Sequence, residues 1–251
     1  MKPTTLLIIL LFSAGTAFSS VEQVNLAKAN KAYSAGSYNV AADLYQSVVA
    51  AGYASPELFY NMGNTYFKMN DYARAILWYE RARRLDPGNE DINFNLNVAN
   101  TKISDKIEPL PELFYKRWFN GLLQLFSVDT WAMMCVFMFI AGLSGLVLYI
   151  ASRVLILRKF GFWSAFSLFF LSGFSFLFAW SGYNFTKSAS EAIVFAPTIT
   201  VKSSPDEKST DLFVIHEGTK IRLLDNISGW YEIRIANGSV GWLPESSLEK
   251  I

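Results

Sequence analysis

"GNTYFKMNDYARA", residues 63–75, opens with a glycine inside a pattern that otherwise reads as two short helices across residues 56–84. Glycine in a helix interior costs about 1 kcal/mol relative to alanine, so its place there needs a reason. The reason lies 34 residues upstream, where the pattern repeats. At that offset Ala29 pairs with Gly63, Tyr33 with Phe67, Tyr38 with Tyr72, Ala41 with Ala75, Tyr45 with Tyr79 and Val48 with Ala82. Small residues recur where two antiparallel helices would cross, and aromatic residues recur beside them. A small side chain at a crossing lets the helices approach, which offsets its propensity cost.

The 34-residue period, with Phe59, Met62, Gly63, Tyr66, Tyr72, Ala75, Tyr79, Ala82 and Pro87 in register, resembles the tetratricopeptide repeat (TPR). That resemblance implies an all-α TPR solenoid over residues 20–104. It comprises two repeats and a capping helix in "DINFNLNVANTKIS", where Leu96 keeps register but the small and aromatic pattern is lost. Pro87 ends the second repeat, because proline cannot continue the helical ladder. Tyr33, Tyr45, Phe59 and Tyr79 read as core fillers. TPR arrays bind extended peptides or partner helices on the concave face of their first helices. The resemblance places Asn30, Tyr33, Tyr60, Asn64, Phe67 and Lys68 on that face. Asn30 and Asn64, one period apart, read either as hydrogen-bonding partners for a bound peptide backbone or as solvated amides. Lysines and arginines do not recur along the face, so no carboxylate clamp is expected. Two repeats and a cap are near the minimum for a stable stack, so packing against the membrane or a partner is expected.

Toward the N-terminus, "MKPTTLLIILLFSAGTAFSS" has a basic start at Lys2, an apolar run over 6–12, and small residues at Gly15 and Ala17. This is the pattern of a secretory signal peptide over residues 1–19, with an uncleaved anchor as the alternative. Toward the C-terminus, residues 130–152 and 160–186 carry no charged side chain. Each exceeds the roughly 20 apolar residues that cross a bilayer as a helix. The expectation is a two-helix transmembrane hairpin, 130–152 and 160–183, around a cytoplasmic loop 153–159 that carries Arg153, Arg158 and Lys159. An exported N-terminus followed by one hairpin returns the C-terminus to the same outer side. Ala141 and Gly145 form a small-xxx-small pair suited to helix packing. In the linker, 105–129, Pro109 and Pro111 favour an extended elbow. Phe114, Trp118, Leu122, Leu125 and Phe126 then recur at helical spacing opposite Lys116 and Arg117. That pattern suits a helix lying on the membrane surface, or one packed on the repeats.

After the second span the period falls to two. "ITVK", "LFVI", "KIRLL", "WYEIRI" and "VGWL" alternate between turn signals at Ser204-Pro205, Glu217-Gly218, residues 226–229 and Asn237-Gly238. Five short strands within 190–251 predict a small barrel. "HEGTKIRLL" and "SGWYEIRIANGSVGWL" resemble the bacterial SH3 family, which implies a small all-β SH3-like barrel. An Ala-Leu-Tyr-type aromatic run is missing near its start, so binding of Pro-rich peptides is not implied. Gly229-Trp230 and Gly241-Trp242 read as structural pairs, a glycine turn letting each indole pack on the barrel; in the alternative reading Trp230, Tyr231 and Trp242 are surface residues of a shallow peptide or glycan groove. His216, beside Glu217 in a turn, is expected to be solvated.

The net charge of +1 leaves no nucleic-acid footprint among the 251 residues, of which 52% are apolar and 17% charged. One cysteine and one histidine argue against disulfides, zinc sites and Cys-His nucleophiles. There is no triad, phosphate-binding glycine loop or paired catalytic carboxylate setting, so neither an enzyme nor a cofactor nor a metal is expected. The whole order, together with "DKIEPLPELFYKRWF", resembles the TPR component of the Bacteroides aerotolerance (Bat) group. That resemblance implies a multi-domain membrane protein of the bacterial inner (cytoplasmic) membrane, with both soluble modules periplasmic. It would be a non-enzymatic scaffold acting with membrane-bound von Willebrand A-type Bat proteins and a MoxR-type AAA+ ATPase in oxygen or stress tolerance. The residues themselves support an adaptor. They also leave open a cell-wall receptor whose barrel binds peptidoglycan or stress ligands, and a maturation factor of the cytochrome-biogenesis kind.

Overall fold

A computed structural model describes residues 20–111, 113–123, 125–188 and 190–251. The expected signal peptide lies outside the described residues. The chain divides into two units, one ending at Ala54 and the other running from Ser55 to Ile251.

The first unit pairs helices α1 (Ser20–Ser34) and α2 (Tyr38–Ala50) across a turn in which Gly36 takes φ +76°. Ala29, Ala41, Tyr45 and Val48, all matched at the repeat offset, are buried.

The second unit begins with α3 (Pro56–Lys68), α4 (Tyr72–Leu85) and α5 (Glu90–Asn100). Each start is specified locally. Ser55, Asp71 and Asn89 cap the helices by accepting backbone N–H bonds from Leu58, Arg74 and Ile92 respectively. Pro56 occupies the first turn of α3, where its missing N–H costs nothing. Gly63 packs face-on against Tyr79, and a Cβ there would sit 2.5 Å from Cδ1 and Cε1 of that ring. The helices cross where the repeat pattern predicts.

Helix α4 departs from a one-sided helix. Ala75 through Glu80 are buried without interruption, and a 3.6-residue period cannot aim six consecutive side chains at one neighbour. Beyond α3, the neighbours of α4 are α5 and, on a further side, the C-terminal barrel. Its seven strands are β1 (Glu191–Val194), β2 (Thr198–Lys202), β3 (Asp211–His216), β4 (Lys220–Ile227), β5 (Trp230–Arg234), β6 (Val240–Pro244) and β7 (Leu248–Lys250). They form an antiparallel sheet in the order β3-β2-β6-β5-β4-β1-β7. Alternation on β1 sends Ala192 and Val194 into the barrel core with Ile221, Ile233 and Leu243. Ile193 points the other way, into a cluster with Ile76, Leu77, Tyr79, Leu96 and Ala99. One four-residue strand therefore belongs to two cores. The added packing that two repeats and a cap call for is supplied by the chain's own barrel.

The sequence predicts five of these strands. Strands β1 and β7 escape it because "EAIV" is buried on both faces and shows no alternation, and "LEK" is too short to show any. Ser228 (φ 51°) and Gly229 (φ 83°) form the two-residue turn between β4 and β5. Two successive left-handed residues match the twist of the hairpin.

Helices α7 (Val128–Ala151) and α8 (Leu155–Ser188) are antiparallel and long and apolar enough to cross a membrane. Only residues 152–154 separate them. Arg158 and Lys159 therefore lie inside α8, with the Arg158 guanidinium 5.4 Å from the Tyr149 ring centre. The close seam uses Gly145 of the small-residue pair together with Gly161, with Gly142 against Phe169. A Cβ on Gly161 would meet the Tyr149 backbone nitrogen at 2.7 Å. Ahead of the hairpin in the chain, α6 (Phe114–Leu123) packs on its end. Phe119 stacks on Phe178 at 5.5 Å, and Leu123 shares a buried cluster with Trp131 and Phe178.

Candidate functional site

Of the residues expected on the first-helix face, Asn30, Tyr60 and Asn64 are hydrogen-bonded within the protein. Tyr45 donates its hydroxyl to Asn30 Oδ1 at 2.6 Å, and one period later Tyr79 donates to Asn64 Oδ1 at 2.7 Å. The same bond recurs at the repeat offset, so each asparagine satisfies the hydroxyl of a buried tyrosine in its own helix pair. Burial, and then the neighbouring Tyr33, push the Tyr45 hydroxyl up to about 12. In the second unit Asn95 of α5 donates to Asn64 Oδ1 at 2.9 Å and to the Tyr60 hydroxyl at 2.8 Å. Tyr33 packs edge-on to Tyr38 and Phe67 edge-on to Tyr72, both at 5.5 Å. Lys68 is exposed. Tyr60, Asn64, Phe67 and Lys68 thus share α3, whereas Asn30 and Tyr33 belong to the first unit.

On the barrel, Tyr231 is not a surface residue. It is 8% exposed and part of the core, because the β5 alternation turns it inward with Ile233. The Lys250 ammonium lies 4.8 Å from its ring centre. Trp230 and Trp242 are half-buried on the opposite face, where Trp242 lies across from Glu232 and Lys202. Gly241 is not at a turn. It lies within β6, where a Cβ would collide with Val201 and come 2.8 Å from the Lys202 carbonyl.

The junction between repeat and barrel carries polar groups that the sequence did not single out. Glu80, almost wholly buried, receives Arg83 at 2.6 Å and Lys220 at 3.1 Å, and Lys220 also reaches Glu191 at 2.8 Å. Arg81 pairs with Glu249 at 3.0 Å and donates to the Lys250 carbonyl at 2.7 Å; Arg84 donates to the Ile251 carbonyl. The segment after α5 is not a free elbow but a strap along the barrel. Ile107 packs on the barrel core, and the Leu110 N–H donates to the Ala236 carbonyl at 3.1 Å.

His216 is likewise not simply solvated. Asp105 on the strap accepts from the His216 backbone N–H at 2.8 Å and from the Thr219 hydroxyl at 2.7 Å, and its second oxygen lies 2.7 Å from His216 Nδ1. Burial acts to raise the Asp105 carboxyl. The hydrogen bonds from Thr219 and His216, with the charge of His216, outweigh it and hold the carboxyl below its ordinary value.

Residues 56–89 match the Tetratricopeptide repeat family. Residues 197–249 match the Bacterial SH3 domain family. The first helix pair lies outside the first match, and it repeats the 34-residue period and the Asn–Tyr bond. Among solved structures the chain is similar to the Sgt2 TPR domain from Aspergillus fumigatus, at 18% identity and a TM-score of 0.32. The likeness covers 43% of this chain and 62% of that domain, which is less than two thirds of its length. No curated protein matches the chain. The helical N-terminal region, the two long apolar helices and the antiparallel SH3-like domain together make a multi-domain chain. Both matched modules are of interaction type, suited to protein partners or to peptidoglycan.

Proposed function

We propose that the protein is a non-enzymatic scaffold, anchored by its two apolar helices in the bacterial inner membrane, that presents TPR and SH3-like surfaces to protein partners on the periplasmic side. The observation that carries this reading is the shared core at Ile193. A repeat and a barrel packed into one body form a composite surface rather than two tethered modules. The outer faces of α7 and α8 supply the anchor. Phe137 is 75% exposed and Ile150 72%, a surface that water does not tolerate over such lengths and lipid does. A signal peptide over residues 1–19 would start export, and an even number of spans would return the barrel to the side of the repeats.

Within that surface, Lys68 and Phe67 on the repeat and Trp230 and Trp242 on the barrel are the contact residues we assign. The likeness to the Bat group makes von Willebrand A-type membrane proteins, coupled to a MoxR-type ATPase, the proposed partners in oxygen or stress tolerance. Photo-crosslinkers at Lys68 and Trp242, activated in intact cells, test this. Adducts with von Willebrand A-type membrane proteins are expected. Adducts to murein alone would replace the scaffold with a cell-wall receptor.

A further inference from the structure

Arg222 on β4 and Arg234 on β5 are directly opposed across the sheet. Like charges facing each other across a strand pair are destabilising unless something neutralises them. Glu191 stands opposite Arg222 on the other side, but its carboxylate engages Lys220. Among the described residues neither guanidinium has an ion pair or a hydrogen-bond partner. Both open onto a cavity of about 620 Å³ that Lys220 and its partner Glu191 also line, and whose other wall carries the apolar side chains of Pro109, Leu110, Pro111 and Leu113. Two unneutralised forks beside an apolar wall suit an amphiphilic anion, because arginine binds phosphate oxygens in pairs.

The position narrows the source. Leu113 lines the cavity and is followed at once by α6, a ten-residue helix about 15 Å long. The far end of α6 is packed on the hairpin through Leu123, while Phe114 is 82% exposed and Trp118 74%. An aromatic helix joined to a membrane-spanning pair belongs in the interface, and headgroups occupy about 5–8 Å on each side of the hydrocarbon. We propose that Arg222 and Arg234 bind the headgroup phosphate of an anionic phospholipid, whose apolar part lies along the strap. This rests on the reading that α7 and α8 span a bilayer.

The test uses the full chain in micelles containing equal phosphatidylglycerol and phosphatidylcholine, with bound lipid counted by native mass spectrometry. The wild type should retain phosphatidylglycerol, and Arg222→Gln/Arg234→Gln should lose that preference by about 30-fold. Arg222→Lys/Arg234→Lys should keep most of it. The Gln variant should melt no lower than the wild type, since it loses a repulsion, so a folding defect is not confounded with loss of the site. Equal retention by the Gln variant overturns the proposal. So does displacement of the lipid by equimolar inorganic phosphate, which would assign the pair to free phosphate. Flotation with neutral phosphatidylcholine vesicles reports on the hairpin alone. A wild type that fails to float removes both the anchor and this site. Floating variants that have lost phosphatidylglycerol support the site specifically.

Discussion

Replacing Ile193 with alanine should weaken the repeat as much as the barrel. The side chain is wholly buried, and the substitution deletes three carbons, about 2.4 kcal/mol at roughly 0.8 per methylene. The cavity left between β1 and helices α4 and α5 adds to that, for a total of about 2–4 kcal/mol. Urea unfolding of the full chain in a mild detergent measures the loss. A double-mutant cycle then locates it. Leu96 on α5 shares the Ile193 cluster, so Ile193→Ala and Leu96→Ala should couple by about 0.5–3 kcal/mol. Ile233, on the barrel side of the sheet, should add to Ile193 within about 0.5 kcal/mol. Coupling that vanishes with Leu96 and appears with Ile233 would show that Ile193 serves the barrel alone, and the argument for a shared core would be wrong.

Gly63→Ala gains about 1 kcal/mol in helix propensity but forces a methyl into the Tyr79 ring, at a typical cost of 1–3 kcal/mol, so a net loss of about 1 is expected in thermal melts. Gly121→Ala, whose Cβ meets open space on α6, should instead be neutral or stabilising. Asn64→Ala removes the 2.7 Å bond from the Tyr79 hydroxyl, on a 1%-exposed side chain, and should cost about 1–3 kcal/mol. A variant of undiminished stability would return Asn64 to a purely ligand-binding role. The Asp105 carboxyl is depressed in the folded state, so its contribution is complete above the ordinary carboxylate value of about 4 and is lost as pH falls through the lower folded value. Asp105→Asn should flatten that acid limb in melts between about pH 2 and 6. An unchanged limb would place the acid sensitivity elsewhere.

What the sequence revealed was what repeats or alternates. The offset of 34 located the helix crossings, and the alternating runs located five strands, because each pattern is set by one buried face. The junction was hidden because residues buried on two faces lose their period. "AILWY" in α4 and "AIV" in β1 both read as plain apolar runs, although an apolar stretch this continuous on a short helix does signal a second neighbour. Glu80, Asp105 and His216 gave no such signal. A charged residue buried by partners more than a hundred positions away looks, locally, like a solvated one. Asn30 and Asn64 were legible as a pair, but their spacing could not say whether the acceptor served a ligand or the tyrosine fifteen residues on. For Tyr231 both placements stayed open in the sequence, because with only two aromatic neighbours as a guide the inward and outward parities of β5 look alike.

The central claim is that the second repeat and the barrel form one packed body. The most direct measurement is the distance distribution between nitroxide labels at the exposed positions Lys68 on α3 and Asp225 on β4, read by pulsed electron spin resonance in a Cys135→Ser background. A single narrow distribution is predicted, broadened by Ile193→Asp. A broad or multiply peaked distribution in the otherwise unaltered chain would mean that the two modules move independently, and the account would fail.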